Sequence, residues 1–548
     1  MAPANPLSTA VIVSFWLAVM LAAIYKLWMT SGLPMVFSQL SPHDITWFFE
    51  KATSIAQGNW FGDYDHFTLI KGPMFPLFLV GMAEMGLHPR LAFDLIYVVA
   101  CIVFALALTT CIKSRIAIFL AFMLLLMNPV TYSMYWGHPL RQALFMPTIL
   151  VFLSATMAML SIAVSQQRLS LRWSLVCGIS LAIAWNTREE SIWMLGILFP
   201  ALCVTAIYCV RHSPLRYLAG WLLVLAPALL VFHSIASINL EKYGYYGTVD
   251  IKAPGHSAAM RAILSLNTKP GGNIDHLTVE VREKMLTISN HTNELFDKMI
   301  DEDLRFGGIV GEVNGTYALW MVRDGMADLG YYESFATAES AYYRIAADIR
   351  SFCDNNPDEC RWHPPGTIWK NAFFKDVYPA ALLRLKELVS FNRFQPNPDK
   401  AQAHNRSPGD NRFVYAVGRF FNQQAAFAAH AERYVPETVK IERDKHRAMQ
   451  RHYGNYSKYF VYVVVASIVL SLWLFFVSAA THRWNLVLFG GCFLLTFAVL
   501  LAINLTSVRD IPRLTMSSVT PMLCFCAYAM AAAIDGTLNY VKRSLGIY

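Results

Sequence analysis

The sequence predicts a polytopic α-helical membrane protein of about ten transmembrane helices, with a mostly helical soluble domain on the outer face. Three observations predict it. Of 548 residues, 55% are hydrophobic and only 15% charged. Mean hydropathy is +0.38, which is the composition of a chain largely solvated by lipid. Apolar windows recur along the chain, and basic residues cluster at alternate ends of them.

The windows fall near 8–28, 91–112, 116–128, 142–165, 173–186, 190–210, 217–238, 457–480, 484–505 and 514–536. A span needs about 20 apolar residues. The windows 116–128 and 173–186 are shorter, and they count as spans because the flanking charges alternate only if they cross. The first window is expected to be a retained span. Its flank Met1–Ser8 carries no Lys or Arg, and no small-residue cleavage site follows Met29. With the N-terminus inside, the cytoplasmic ends carry Lys113 and Arg115, Arg168 and Arg172, Arg211 and Arg216, Arg483, then Lys542 and Arg543. The net charge of +8 is therefore a topology signal. No basic stripe interleaved with aromatics points to nucleic acid.

Membrane-length hydrophobicity disappears between 239 and 456, where Pro, Asn, Asp and Gly become frequent. This length suits a separate soluble domain. It divides the chain into an N-terminal membrane module, 1–238, with a first outer loop at 30–88, and C-terminal membrane helices, 457–548. Within the domain Ala338, Tyr342, Ile345, Ile349 and Phe352 share one helical face, as do Leu382, Leu385 and Val389. Eight of the 10 cysteines lie in apolar spans. The other two, Cys353 and Cys360, bracket the polar loop Asp354–Glu359. An oxidising compartment would pair them; the alternative is two free thiols.

Five cations stand where the positive-inside pattern expects few. Lys71, Arg141, Arg188, Arg509 and Arg513 each lie beside a span on the outer side. A cation there costs insertion energy and calls for a partner. One polyanionic headgroup held between several spans would account for all five, which points to an enzyme or carrier of a phosphate-bearing lipid. Local alternatives exist. Arg188 precedes Glu189 and Glu190, Arg509 precedes Asp510, and Arg141 has an interfacial place to snorkel from.

The first outer loop concentrates the remaining chemistry. Ser41-Pro42 reads as a helix start, and Ile45, Phe48, Phe49, Ala52, Ile55 and Ala56 mark the apolar face of a short interfacial helix. Asp44 lies in its first turn, where an acid serves either as a cap and dipole partner or as a base. Gly58-Asn59-Trp60 makes a turn, and Lys71-Gly72-Pro73 opens a second irregular segment. Asp63-Tyr64-Asp65 has the form of a metal-holding DxD tripeptide, but no Gly-rich nucleotide-binding unit accompanies it. A loop is the plain reading of it, and a divalent metal the open alternative.

Asp44, the run from Ala52 to Gly58-Asn59-Trp60, and Lys71-Gly72-Pro73 together resemble the first outer loop of the GT-C superfamily of integral-membrane glycosyltransferases. Examples are the protein O-mannosyltransferases and the lipid A aminoarabinose transferases. The resemblance covers the N-terminal membrane half; the C-terminal spans match only in layout. It implies a polyprenyl-phosphate sugar donor, inverting transfer to a glycan, lipid or protein acceptor, and an acidic base in the first loop, here Asp44. It also implies that Lys71 reaches the donor phosphate, and nothing else carries over by motif; Arg141, Arg188, Arg509 and Arg513 are further phosphate-binding candidates on the charge pattern above. A second acid often adjoins the first in that family; here the neighbour is His43. His43, His138, Glu189 and Asp65 are accessory candidates. The expected place is the plasma membrane of a bacterium, with the site on the periplasmic face. The competing reading is a transporter or flippase of an anionic polyprenyl lipid. That would favour broken spans at matching positions of two halves, and no internal repeat is evident.

Overall fold

The computed structural model describes residues 6–31, 33, 35, 42–266, 278–306, 315–361, 378–391, 394–396, 436–505 and 511–544. Among them the regular structure is helical. Helix α1 spans Pro6–Thr30, and a π-helical turn, Pro42–Thr46, leads into α2, Trp47–Ala56. Then follow α3 (Met74–Glu84), α4 (Pro89–Leu108), α5 (Arg115–Leu126), the single turn α6 (Met134–Gly137) and α7 (Gln142–Gln166). The first half closes with α8 (Leu171–Trp185), α9 (Trp193–Cys209) and α10 (Pro214–Tyr243). A run of shorter helices comes next: α11 (Pro254–Ser265), α12 (Val279–Ile288), α13 (Asn290–Phe306), α14 (Gly315–Asp328), α15 (Phe335–Asn355) and α16 (Tyr378–Ser390). The long helices α17 (Pro436–Val477), α18 (Ala480–Leu505) and α19 (Ile511–Ser544) end the chain.

The ten apolar windows all fold as helix. Among the described residues six helices are long and apolar enough to cross a membrane, in α1, α4, α7, α10, α17 and α19; α3, α5, α8 and α9 are shorter apolar helices. Local signals set several starts. His88 Nδ1 accepts from Arg90 N at 3.1 Å with Pro89 in the first turn of α4, and Ser114 Oγ accepts from Ala117 N at 3.3 Å at the start of α5. Helices α7 and α19 are mostly buried. By contrast α1, α10 and α17 turn Leu17, Leu21, Leu230, Val469, Leu472 and Phe476 outward. Apolar exposure on that scale suits lipid as the solvent. Helices α8 and α10 pack closely because Gly178 has no side chain; a Cβ there would lie 2.2 Å from the Leu223 carbonyl oxygen.

Two cores result. The larger joins the apolar helices and includes Leu388, Phe391, Phe394, Ala448 and Met449. The smaller is built from α11 to α15. Helix α15 buries Ala338, Tyr342, Ile345 and Ile349 there, the face expected from their spacing. Helix α16 differs from expectation. Its buried positions are Ala381 and Leu388, with Leu385 partly buried, while Leu382 is 43% exposed. Val389 is partly buried against the same large core, so Leu385 and Val389 take their expected places and Leu382 alone turns outward. Cys353 and Cys360 are joined as a disulfide, their Cα atoms 5.5 Å apart, closing the short turn after α15.

The smaller core also buries a histidine. His256 is 3% exposed and packs edge-on to Tyr342. Burial, with the Arg323 charge beside it, pushes its pKa down from 6.5 to about 3. The unfolded chain thus binds a proton that the fold excludes, so stability falls as pH drops from about 6.5 toward 3, by at most roughly 1.4 kcal/mol per pH unit. Protection factors of amides in α11 and α15 of the full-length protein, corrected for the intrinsic exchange rate at each pH, should fall across that window. His256→Phe, which removes the titrating group and keeps a ring, should flatten the dependence.

Candidate functional site

The site is assembled where three chain segments meet. The first is the π-helical turn and α2, which bury Trp47, Phe48, Phe49 and Ala52 on one face and leave Glu50 exposed. This amphipathic pattern lays α2 against α3 and brings the Asp44 carboxylate to the junction. There Asp44 Oδ1 accepts from Lys71 Nζ at 2.6 Å, with the lysine side chain 5% and the aspartate 21% exposed.

The second segment runs from Asp63 to Pro73. Thr68, Leu69, Ile70 and Lys71 are all buried. Gly72 passes so near the end of α8 that a Cβ would sit 2.2 Å from the Asn186 carbonyl oxygen, and Met74 N reaches the same oxygen at 3.4 Å. The third segment is that α8 terminus. Arg141, at the start of α7, donates from Nη1 to Thr187 O at 3.3 Å. Arg188 follows at once, 4% exposed, with its guanidinium 5.5 Å from the Phe145 ring centroid.

One aromatic ring joins the cations. Lys71 Nζ lies 5.0 Å and the Arg141 guanidinium 6.0 Å from the Phe48 centroid, each within cation–π range. Lys71 and Arg141 therefore share the Phe48 ring beside one carboxylate, Asp44, and Arg188 follows directly after the Thr187 carbonyl that Arg141 holds. Such a site can hold a dianion beside a carboxylate, with both lysine and arginine geometry on offer.

Other sequence candidates take different places. Arg509 lies outside the described residues. The side chains of His43, Glu189 and Arg513 also lie outside them. His138 is half-buried, with its ring stacked on Tyr135 at 6.2 Å. Asp65 is an exposed turn residue. Its Oδ1 accepts from Phe67 N at 2.8 Å and from Thr68 Oγ1 at 2.7 Å, an Asx turn in the sense of local side-chain capping. The middle residue, Tyr64, points elsewhere, donating to Asp250 Oδ2 at 3.0 Å. Among the described residues no three His, Cys, Asp or Glu side chains are grouped to hold a metal.

Sequence reasoning misses a second buried polar group. Lys26 in α1 is fully buried. Its ammonium donates to Thr131 Oγ1 and lies 3.6 Å from the Tyr132 ring centroid. Arg90 pairs with Asp94 at 3.2 Å and donates to Thr131 O at 2.6 Å, and Asp94 accepts from Trp136 Nε1 at 2.8 Å. These bonds fix residues 128–137, the crossing that delivers Arg141. A lone lysine within an apolar window was the available signal.

No protein-family model and no curated protein matches the chain. Comparison with solved structures finds the crystal structure of ArnT from Cupriavidus metallidurans bound to undecaprenyl phosphate, at 13% identity and a TM-score of 0.33, covering 96% of this chain and 77% of that one. The same protein in its apo state is found at 13% identity and a TM-score of 0.32, covering 97% of this chain and 78% of that one.

Proposed function

We propose that the protein is a glycosyltransferase that moves a sugar from a polyprenyl-phosphate carrier to an acceptor hydroxyl, with inversion, at the outer face of the membrane. The observation that carries the reading is the Asp44–Lys71 pair with Arg141 on the same Phe48 ring. The first-loop resemblance to the GT-C superfamily supplies the reaction class. The acceptor oxygen attacks the anomeric carbon, Asp44 takes its proton, and the bond from that carbon to the phosphate oxygen breaks. The electron pair leaves with the polyprenyl phosphate. A base in that position contributes about 10²–10⁴-fold. Lys71, Arg141 and Arg188 stabilise the charge that grows on the leaving phosphate, and do so more strongly in a water-poor site. A donor phosphate at Lys71 competes with Asp44 for the ammonium. The carboxylate is thereby released to the acceptor at the moment the donor is in place.

The test compares cations at the two ends of the spans. Lys71→Ala, Arg141→Ala and Arg188→Ala should each weaken binding of a purified polyprenyl-phosphate sugar by about tenfold to a hundredfold, since a charge-assisted bond to phosphate is worth roughly 1.5–3 kcal/mol. Arg168→Ala and Arg216→Ala should leave it unchanged; those side chains bond to Gln166 and to the Leu169 carbonyl. Equal losses in both sets would mean that general membrane anchoring has been mistaken for a donor site.

A further inference from the structure

The segment that ends in Lys71 is gripped from two sides, and the two grips involve different parts of the molecule. On one side Trp47 Nε1, from α2, donates to Phe67 O at 2.5 Å. On the other stands Arg323, on α14 of the smaller core and 1% exposed. Its Nε and Nη2 reach His66 O at 3.1 and 2.6 Å, and its Nη2 pairs with Asp250 at 3.1 Å. Asp250 adds two bonds of its own. It accepts from Tyr64 OH at 3.0 Å, and its backbone N donates to Leu69 O at 2.9 Å. One buried ion pair thus holds the strap at residues 64, 66 and 69.

The strap has little freedom to absorb a displacement before residue 71. Thr68 Oγ1 is bonded to Asp63 O and Asp65 Oδ1, and Thr68, Leu69 and Ile70 are 0%, 0% and 2% exposed. Packing at that density transmits shifts. The same strap also references the carboxylate, because Trp47 follows Asp44 by one helical turn. We propose that Arg323 and Asp250 are positioning residues, which set the depth and register of Lys71 against Asp44 from the smaller helical core. The proposal touches the reaction only through the roles given above to Asp44 and Lys71. Electrostatics makes the grip firm. Burial alone would lower the Arg323 pKa, but Asp250 outweighs it and the pKa rises, so the guanidinium stays charged.

The pair is not a general requirement for a cation at that place. Lysine at 323 keeps the charge but has no fork to reach both His66 O and Asp250. Asparagine at 250 keeps the backbone bond to Leu69 O and loses the charge that orients Arg323.

The experiment reads Lys71 directly. Full-length protein in detergent is treated briefly with a water-soluble amine-acylating reagent, and labelling is quantified by peptide mass spectrometry. Lys71 should react slowly in the wild type. Asp250→Asn and Arg323→Lys should raise its labelling rate by about tenfold or more, the factor expected for losing one charge-assisted bond. Lys284, which pairs with Glu280 at 3.2 Å in the smaller core, should be unchanged. In parallel, turnover with a polyprenyl-phosphate sugar should fall, with Asp250→Glu recovering part of it. Unchanged Lys71 labelling in both variants would overturn the proposal, whatever the activity. Equal gains at Lys71 and Lys284 would also overturn it, because the pair would then only hold its domain together. A selective gain at Lys71 in a protein whose wild type transfers no sugar would support the coupling and sink the glycosyltransferase reading.

Discussion

Asp44→Asn should lower sugar transfer by about 10²–10⁴-fold, the contribution of a positioned base. Asparagine caps a helix as well as aspartate does, so a capping role alone predicts an active variant. The ion pair adds a second consequence. Asparagine leaves Lys71, only 5% exposed, without its counter-charge. Breaking a fully buried pair costs roughly 3–5 kcal/mol, and the 21% exposure of Asp44 makes the loss smaller here. Asp44→Asn should therefore lose both turnover and stability. The double variant Asp44→Asn, Lys71→Met separates the two effects. Removing both charges relieves the part of the stability loss that comes from Lys71 losing Asp44. It cannot restore turnover, because the base and a phosphate ligand are gone. Thermal unfolding and transfer assays on the same samples distinguish these outcomes. A double variant that regains turnover would show that Asp44 serves only to neutralise Lys71.

Much of the architecture was legible because membrane spans announce themselves locally. Twenty apolar residues are a sufficient signal, and each apolar window folds as a helix. The cations Lys71, Arg141 and Arg188 were legible for a related reason: charge beside lipid is costly, so its position carries information. Pairings between distant residues were not. The first-loop resemblance puts Asp44 and Lys71, 27 positions apart, in one site but not in an ion pair, and nothing in sequence links Asp250 to Arg323, 73 positions away. Arg323 follows the apolar run Ala318–Val322 and precedes Asp324 in a helix of ordinary composition, and only burial makes it unusual. Lys26, a lone lysine inside the first apolar window, carried the same kind of signal as Lys71, Arg141 and Arg188. The α16 face was legible at Leu385 and Val389 and not at Leu382, because periodicity gives the existence of a stripe but not where its edge falls. The Asp63-Tyr64-Asp65 tripeptide shows the opposite hazard. A pattern with a known chemical use is here a turn, with Asp65 spent on its own backbone.

Gly72→Ala should be as damaging as loss of the base, although it removes no functional group. The new Cβ would stand 2.2 Å from the Asn186 carbonyl oxygen and 2.9 Å from its carbonyl carbon. Both are backbone atoms at the end of α8, so no rotamer change relieves the clash; the two segments must separate. That separation stretches the Met74 N to Asn186 O bond, already 3.4 Å. It also moves Thr187, whose carbonyl holds Arg141, and Arg188 behind it. One methyl group thus displaces Lys71 from both arginines. A shift of about 1 Å at a reacting site can cost about 10²-fold, and overpacking against rigid neighbours costs roughly 1–3 kcal/mol. Gly81→Ala in α3 is the control. Its Cβ would meet nothing within 4 Å, and alanine in a helix interior gains up to about 1 kcal/mol over glycine. Transfer and thermal stability measured on both variants should diverge, with Gly72→Ala losing each and Gly81→Ala losing neither. Near-wild-type transfer by Gly72→Ala would mean that the approach of residue 72 to the end of α8 is not what assembles the cations.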